Sequence, residues 1–343
     1  APYAWSKLGM SFITLSLAEE LAGDDVGCNT FWPVTTVDTR ATRYFGLGTE
    51  DDWRTPEVVS DAVLEVLARD PAECTGNSFY DEDLLREAVE MGADVVGGIP
   101  HNEHTREDGV ESVKIACDVA ERHDRPLDLH IDETDDPNAR FTEVLASEAL
   151  KRGVGDRVTA SHATAMHSYD NAYADKLISL VAESGVSVVT NPPDNSVLQG
   201  AYDDYPRRRG HTRIDQLRAA GVTVGLGHDS VLDPWYHYGV ADPLDAAFVL
   251  AHYAHMAGHG DVAALWEMLT GANAAVVGAS DYGLEAGNEG SLVVYDAPDG
   301  FNALRTQAPR TLVLRDGDPI ARTEPASTEV VRSGGAKSVD YKR

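Results

Sequence analysis

Short apolar runs that each end in a polar cluster, alternating with helical segments of roughly ten residues, predict an α/β fold: a parallel sheet closed as a (β/α)8 barrel with a small C-terminal β appendage. Three runs make the case. Residues 127–131 lead into His130, Asp132 and Glu133, residues 158–160 into Ser161 and His162, and residues 222–226 into His228 and Asp229. Strands that turn polar at their C-terminal edge are how such a barrel presents chemistry. An open doubly wound sheet would gather these clusters at one switch point instead, and the chain has no glycine-rich phosphate loop or dinucleotide fingerprint.

Taken in order, residues 1–80 show little sustained periodicity. Helical spacing is confined to 58–67, and no histidine precedes His101. From residue 81 the stripe Leu84, Leu85, Ala88 and Val89 predicts a helix, followed by a turn at Gly92 and a strand at 94–98. The helix-strand unit then recurs. Helices are expected at 111–122, 140–152, 172–184 and 212–220, leading to strands at 127–131, 157–160, 186–190 and 222–226. Two further helices are expected at 248–257 and 263–270. The composition shifts at Gly283, and short strands follow at 291–295, 311–314 and 319–322, with 332–343 as a peripheral tail. The expected organisation is an atypical N-terminal segment (1–80), a barrel (81–282) and the β appendage with its tail (283–343).

The charge balance narrows the class of partner. A formal net charge of −29 disfavours nucleic acid and anionic membranes, which would be repelled. Only six of the 28 basic residues are lysine, so the surface reads as acidic and arginine-biased, the composition of a protein kept soluble in concentrated salt. Cys28, Cys74 and Cys117 are odd in number and lack a Cys-x-x-Cys spacing, which fits a reducing cytoplasm and indicates neither a disulfide framework nor a thiolate zinc site. The apolar stretch 10–22 is interrupted by Glu19 and Glu20 with no basic region before it, so neither a signal peptide nor a membrane span is expected.

Several of these polar residues suit hydrolysis. His130 and Glu133 put an imidazole and a carboxylate three residues apart at one strand end, where one can hold a metal while the other moves protons. Read alone, Asp132, Glu133, Asp135 and Asp136 are a solvated acidic loop, and a single His162 is a hydrogen-bonded structural histidine. Recurrence on three strands favours a site. Asp229 adds an anionic oxygen able to hold a divalent ion or accept a proton from its water. Hydrolysis at an amidine-like carbon at neutral pH requires hydroxide, and a bound divalent ion lowers the pKa of water from about 16 to about 7.

The blocks Leu129-His-Ile-Asp-Glu-Thr-Asp-Asp136, Thr159-Ala-Ser-His-Ala-Thr-Ala-Met-His-Ser-Tyr169 and Gly227-His-Asp-Ser-Val-Leu-Asp-Pro-Trp-Tyr236 resemble bacterial-type cytosine deaminases of the amidohydrolase superfamily. Gly92-Ala-Asp-Val-Val-Gly-Gly-Ile-Pro-His101, Leu198-Gln-Gly200, Tyr205-Pro-Arg-Arg-Arg-Gly210 and Asp340-Tyr-Lys-Arg343 agree as well, so the resemblance spans about residues 82–343. It implies a barrel hydrolase converting cytosine to uracil and ammonia with one divalent ion, Fe²⁺ or Zn²⁺, in a cytoplasmic homo-oligomer acting on a small pyrimidine-like substrate. By the resemblance His130 is a metal ligand, Glu133 the proton shuttle that also contacts the ring, and His162 a non-ligand bonded to the hydrolytic water. Asp229 is both ligand and base, and Trp235 part of the pocket wall. His228 is a structural neighbour, and His167 and His211 belong to loops.

Two departures stand out. Ser230 occupies the position after Asp229 where the family usually has a second acid beside the substrate, which opens the alternative of another heterocyclic amine, of the isoguanine or triazine type. Residues 1–80 lack the family's opening half-sandwich, its His-x-His strand and its substrate-reading glutamine. That leaves a non-catalytic homologue without the His-x-His ligands as a third reading. His101 and His104 lie after a strand end as substitute donors, although a structural role suits both better.

Overall fold

The computed structural model describes residues 92–339 except His104, Asp233 and Pro234, and, before Gly92, Thr14, Leu17, Leu21, Val26, Cys28, Thr30, Phe31, Arg43, Ser78, Phe79 and Val89. The chain forms two compact units, 1–94 and 95–343. In the first, β1 (Thr30–Phe31) pairs in parallel with β2 (Ser78–Phe79). The expected helix at 58–67 lies outside the described residues, as does all of the 84–89 stripe but Val89.

The second unit holds a five-stranded parallel sheet among its described residues: β3 (Val96–Gly98), β4 (Leu127–Ile131), β5 (Val158–His162), β6 (Ser187–Thr190) and β7 (Val224–Leu226). Spatial order follows chain order without reversal. That is the arrangement of a (β/α) barrel wall, whereas a doubly wound sheet reverses direction at its switch point. The register sets His130 opposite Ser161 and Ile131 opposite His162, bringing the polar ends of β4 and β5 level.

Capping and burial explain the crossover helices. Helix α1 (Arg106–Arg122) begins five residues before the expected 111, because its first turn is polar and carries no apolar stripe; Thr105 caps it by accepting from the Asp108 amide at 3.1 Å. Helix α2 (Phe141–Arg152) stops at Gly153, whose φ of 69° suits glycine, and α3 (Asn171–Ser184) starts at the Asp170 cap. Their inner faces bury Val113, Leu145, Leu177 and Val181, as the strand 127–131 buries Leu127, Leu129 and Ile131. Each such side chain contributes about 1.5–3 kcal/mol by leaving water. Gly109 marks a close approach: a Cβ there would sit 2.5 Å from both the Phe141 ring and the Pro100 carbonyl oxygen.

Helix α4 (Pro192–Leu198) was not expected, since Asn191-Pro-Pro reads as a helix breaker; here proline opens the helix, where its missing N–H costs nothing. It is followed by α5 (Ile214–Ala219) and, after β7, by α6 (Pro243–Tyr253) and α7 (His259–Glu267). A π-helical turn at Met268–Ala272 then leads into α8 (Asn273–Val276). The Asn273 side chain accepts from the Leu226 amide and donates to the Leu226 carbonyl, both at 2.9 Å, serving the hydrogen-bonding groups at the end of β7.

The C-terminal part is a three-stranded antiparallel sheet, β10-β9-β8, formed by β8 (Leu292–Tyr295), β9 (Arg310–Arg315) and β10 (Asp318–Arg322), with α9 (Gly300–Thr306) between β8 and β9. The expected peripheral tail is corrected. Thr328–Arg332 (β11) and Gly335–Val339 (β12) form an antiparallel hairpin around a glycine turn. Its exposed residues lack the clean apolar alternation by which a half-buried strand is recognised. None of the described helices is long and apolar enough to cross a membrane.

Candidate active site

The site is built where β4, β5, β6 and β7 end. After β4 the chain reverses at Asp132, whose φ of 51° is a left-handed conformation that side chains rarely adopt. The turn is held from inside: the fully buried Asp132 carboxylate accepts from the Phe141 and Thr142 amides at 2.8 Å each, from the Thr142 hydroxyl at 2.6 Å and from the Tyr169 hydroxyl at 3.3 Å. These bonds also satisfy the first amides of α2, so a single carboxylate ties the turn that bears Glu133 to the helix. His162 and Asp229 also sit at positive φ, 69° and 64°. Such strain, of order 1 kcal/mol or more per residue, persists where surrounding structure holds it and clusters at functional sites.

His162 lies at the centre of the cluster. Its side chain is fully buried, with Nδ1 3.2 Å from Glu133 Oε1 and Nε2 3.3 Å from Asp229 Oδ2. The imidazole therefore spans two carboxyl groups, one on each ring nitrogen. Burial, with the neighbouring His130 adding to it, pushes its pKa down to about 3, so the ring is neutral. Glu133 is moved the other way: burial and the nearby Asp194 and Asp229 carboxylates push its pKa up to about 8, against a smaller downward pull from Asn195. A protonated Glu133 can donate to Nδ1 while the Nε2 proton is donated to Asp229, one consistent tautomer for the triad.

His130 completes the cluster, its ring centroid 4.7 Å from that of His162. One donor atom each from His130, His162 and Asp229 lies within 4.8 Å of the others, and the same holds for Glu133, Asp194 and Asp229. Two imidazoles and a carboxylate are a donor set suited to zinc or iron, and three protein ligands with an open position is the usual catalytic arrangement. The residues thus fit a divalent ion.

The structure brings His130, Glu133, His162 and Asp229 together as expected and groups His162 with the candidate ligands. Ser230 is half-buried beside Asp229, and Trp235 is 61% exposed. His228 is buried with its Nδ1 lacking a hydrogen-bond partner, its ring so close to Gly239 that a Cβ there would lie 2.4 Å from Nε2. His101 sits on a short 3₁₀ turn, hydrogen-bonded to the His130 backbone, its pKa pushed down to about 4 first by burial and then by His130. His104 lies outside the described residues. His167, expected on a loop, lies instead on the 3₁₀ turn Thr164–Ser168 that extends the chain beyond β5, while His211 is on a loop with its ring 5.2 Å from Tyr253.

Sequence reasoning missed the β6 contribution. Asn195, on α4, donates to Glu133 Oε1 at 3.0 Å and lies 3.0 Å from His162 Nδ1; Asn191 Nδ2 lies 3.2 Å from His162 Nε2; Asp194 faces Glu133. The signal was available. Asn191-Pro-Pro-Asp-Asn195 follows the apolar run 186–190 as the other polar clusters follow theirs.

A family model described as the amidohydrolase family matches residues 40–334. The chain belongs to that family. A crystal structure of 5-methylcytosine deaminase from Klebsiella pneumoniae liganded with phosphonocytosine is 39% identical, covering 79% of this chain and 69% of that one at a TM-score of 0.71. The N-isopropylammelide isopropyl amidohydrolase of Pseudomonas sp. (strain ADP) is 28% identical over 249 residues, 71% of this chain and 57% of its own. The chain spans about half the length of the curated amidohydrolases it matches. A shorter likeness is to hydroxysteroid dehydrogenase-like protein 2 of Xenopus tropicalis, 36% identical over 85 residues, 24% of this chain and 20% of that protein.

Proposed function

We propose that this site hydrolytically deaminates an amino-substituted nitrogen heterocycle, with cytosine, giving uracil and ammonia, as the first substrate. The observation that carries the reading is the triad Glu133–His162–Asp229, in which one neutral imidazole separates a carboxyl group that is protonated near neutral pH from a second carboxylate, beside a donor set able to hold a cation. A divalent ion held by His130 and Asp229 would supply a water acidic enough to be a nucleophile near pH 7.

The chain's own residues do the rest. Asp229 accepts the proton released as water adds to the amino-bearing carbon. Glu133 donates a proton to the ring nitrogen next to that carbon, drawing electrons away from the centre under attack. The proton held by Asp229 then passes to the exocyclic nitrogen, because ammonia leaves and amide ion does not, and the adduct's hydroxyl proton returns to Glu133 as the carbonyl forms and the C–N bond breaks. His162, buried and neutral, is oriented by both carboxyl groups and by Asn195, and its Nε2 proton turns to the developing alkoxide once Asp229 takes up the proton from water. Asp132, bonded to α2, keeps the Glu133 turn from shifting, since misplacement of about 1 Å can cost a factor of about 100.

The likeness to a 5-methylcytosine deaminase at 39% identity supports the pyrimidine reading. Ser230, half-buried beside Asp229, favours a second reading: a larger or differently substituted heterocyclic amine, for which a small neutral residue leaves room. Ammonia release from cytosine, 5-methylcytosine and isoguanine, with Zn²⁺ or Fe²⁺ added, separates the two. Glu133→Gln is expected to lower kcat on the preferred substrate by about 10²–10⁴-fold. Equal rates in the variant and the parent would remove Glu133 from the chemistry.

A further inference from the structure

We infer that residues 1–94 are a unit of separate ancestry, related to the hydroxysteroid dehydrogenase-like proteins, and that residues 95–343 alone carry the hydrolase. Three observations converge on this.

The first is length. The dehydrogenase-like match covers 24% of this chain and fits within a unit of 94 residues, and the amidohydrolase match covers 71% and fits within the unit from Val95 to Arg343. One stretch of sequence cannot descend from both families. The amidohydrolase motif blocks run from Gly92 to Arg343, so the dehydrogenase-like stretch falls to the first unit. The family model enters at residue 40, but motif agreement begins only at Gly92.

The second is topology. β1 and β2 pair in parallel, Thr30 with Ser78 and Phe31 with Phe79, with residues 32–77 between them. Parallel neighbours need a crossover of a dozen or more residues, usually containing a helix, and the helical spacing at 58–67 falls inside this one. Parallel pairing across a long connection is compatible with the open α/β sheets of dinucleotide-dependent dehydrogenases.

The third is chemistry. Residues 1–94 contain no histidine. The opening expected from the resemblance, a half-sandwich followed by a His-x-His strand, is replaced by sequence of another kind. Every imidazole available to the candidate cation therefore comes from the second unit, where His130 and His162 already converge.

Calorimetry and limited proteolysis of the full chain, with and without Zn²⁺, test the inference. Two unfolding transitions are expected, with early cleavage near the boundary at residue 94. The released piece beginning near Val95 should stay folded by circular dichroism. Only its transition should rise on adding Zn²⁺. A single cooperative transition, or a released piece that unfolds, would overturn the inference. The Zn²⁺ arm rests on the proposed function and the two-transition arm does not: two transitions with neither moved by Zn²⁺ would support separate ancestry and count against the metal-dependent reading.

Discussion

At the scale of single residues, burial decides what each polar group can do. Asp132 is fully enclosed yet accepts four hydrogen bonds, and removing it leaves two helix amides and the Thr142 hydroxyl without their acceptor, while the Tyr169 hydroxyl keeps the Ala139 carbonyl. Asp132→Ala should therefore destabilise the chain by about 2–4 kcal/mol in urea unfolding, and a loss under about 0.5 kcal/mol would contradict the anchoring role. His211 is enclosed in the opposite way. Neither ring nitrogen has a hydrogen-bond partner, and burial, with His167 second, pushes its pKa down to about 4. An unfolded histidine titrates near 6.5. As pH falls, the unfolded chain takes up this proton first, so the stability tied to the neutral ring is present above about pH 6.5 and lost as pH drops towards 4. Replacing His211 by Gln should reduce the fall in stability between pH 7 and 5 by about 2 kcal/mol, read from urea midpoints; an unchanged pH dependence would show that the ring titrates normally in the fold.

Among the elements, the junction of α1, α2 and β4 carries the geometry of the site. Gly109 in α1 lets that helix lie directly on Phe141, the first residue of α2, and α2 in turn holds Asp132 and the turn bearing Glu133. Gly109→Ala inserts a methyl group where two contacts would measure 2.5 Å, one of them to a backbone carbonyl that cannot rotate away. The expected cost is about 1–3 kcal/mol in stability, together with a lower rate of the proposed deamination at temperatures where the variant remains folded. Stability equal to or above the parent would show that the helices are free to separate. Helix α4 acts similarly from the other side: its proline start fixes Asn191 and Asn195 against His162, so the floor of the site draws on β5 and β6 together.

For the whole molecule, net charge is the dominant quantity. With 57 acidic and 28 basic side chains, the folded chain repels itself at low salt. Raising ionic strength from about 0.1 M to about 1 M shortens the screening length from about 10 Å to about 3 Å and relieves that repulsion. The melting temperature should rise with KCl over this range. A flat or falling response would remove the high-salt reading of the composition. Local pairs do not offset the imbalance, because Arg152 meets Asp118 and Glu121 at exposed carboxylates, where each pair contributes about 1 kcal/mol or less.

Period and punctuation in the chain determined the alternation of strands and helices, the parallel sheet and the strand ends that carry His130, His162 and Asp229, because burial on one face writes itself into the sequence at fixed spacing. β4 matches its expected limits throughout. Where local cues misled, the competing effect was specific: a polar first turn hid the start of α1, prolines disguised α4 as a loop, and exposed strands disguised the last hairpin as a tail. Only the tertiary structure decided which polar residues meet. It set Glu133 and Asp229 on opposite nitrogens of one imidazole, recruited Asn195 from a helix the sequence concealed, and enclosed the group so that Glu133 holds its proton near neutral pH. Distance and dielectric govern that chemistry, and both depend on segments remote in the chain being packed together.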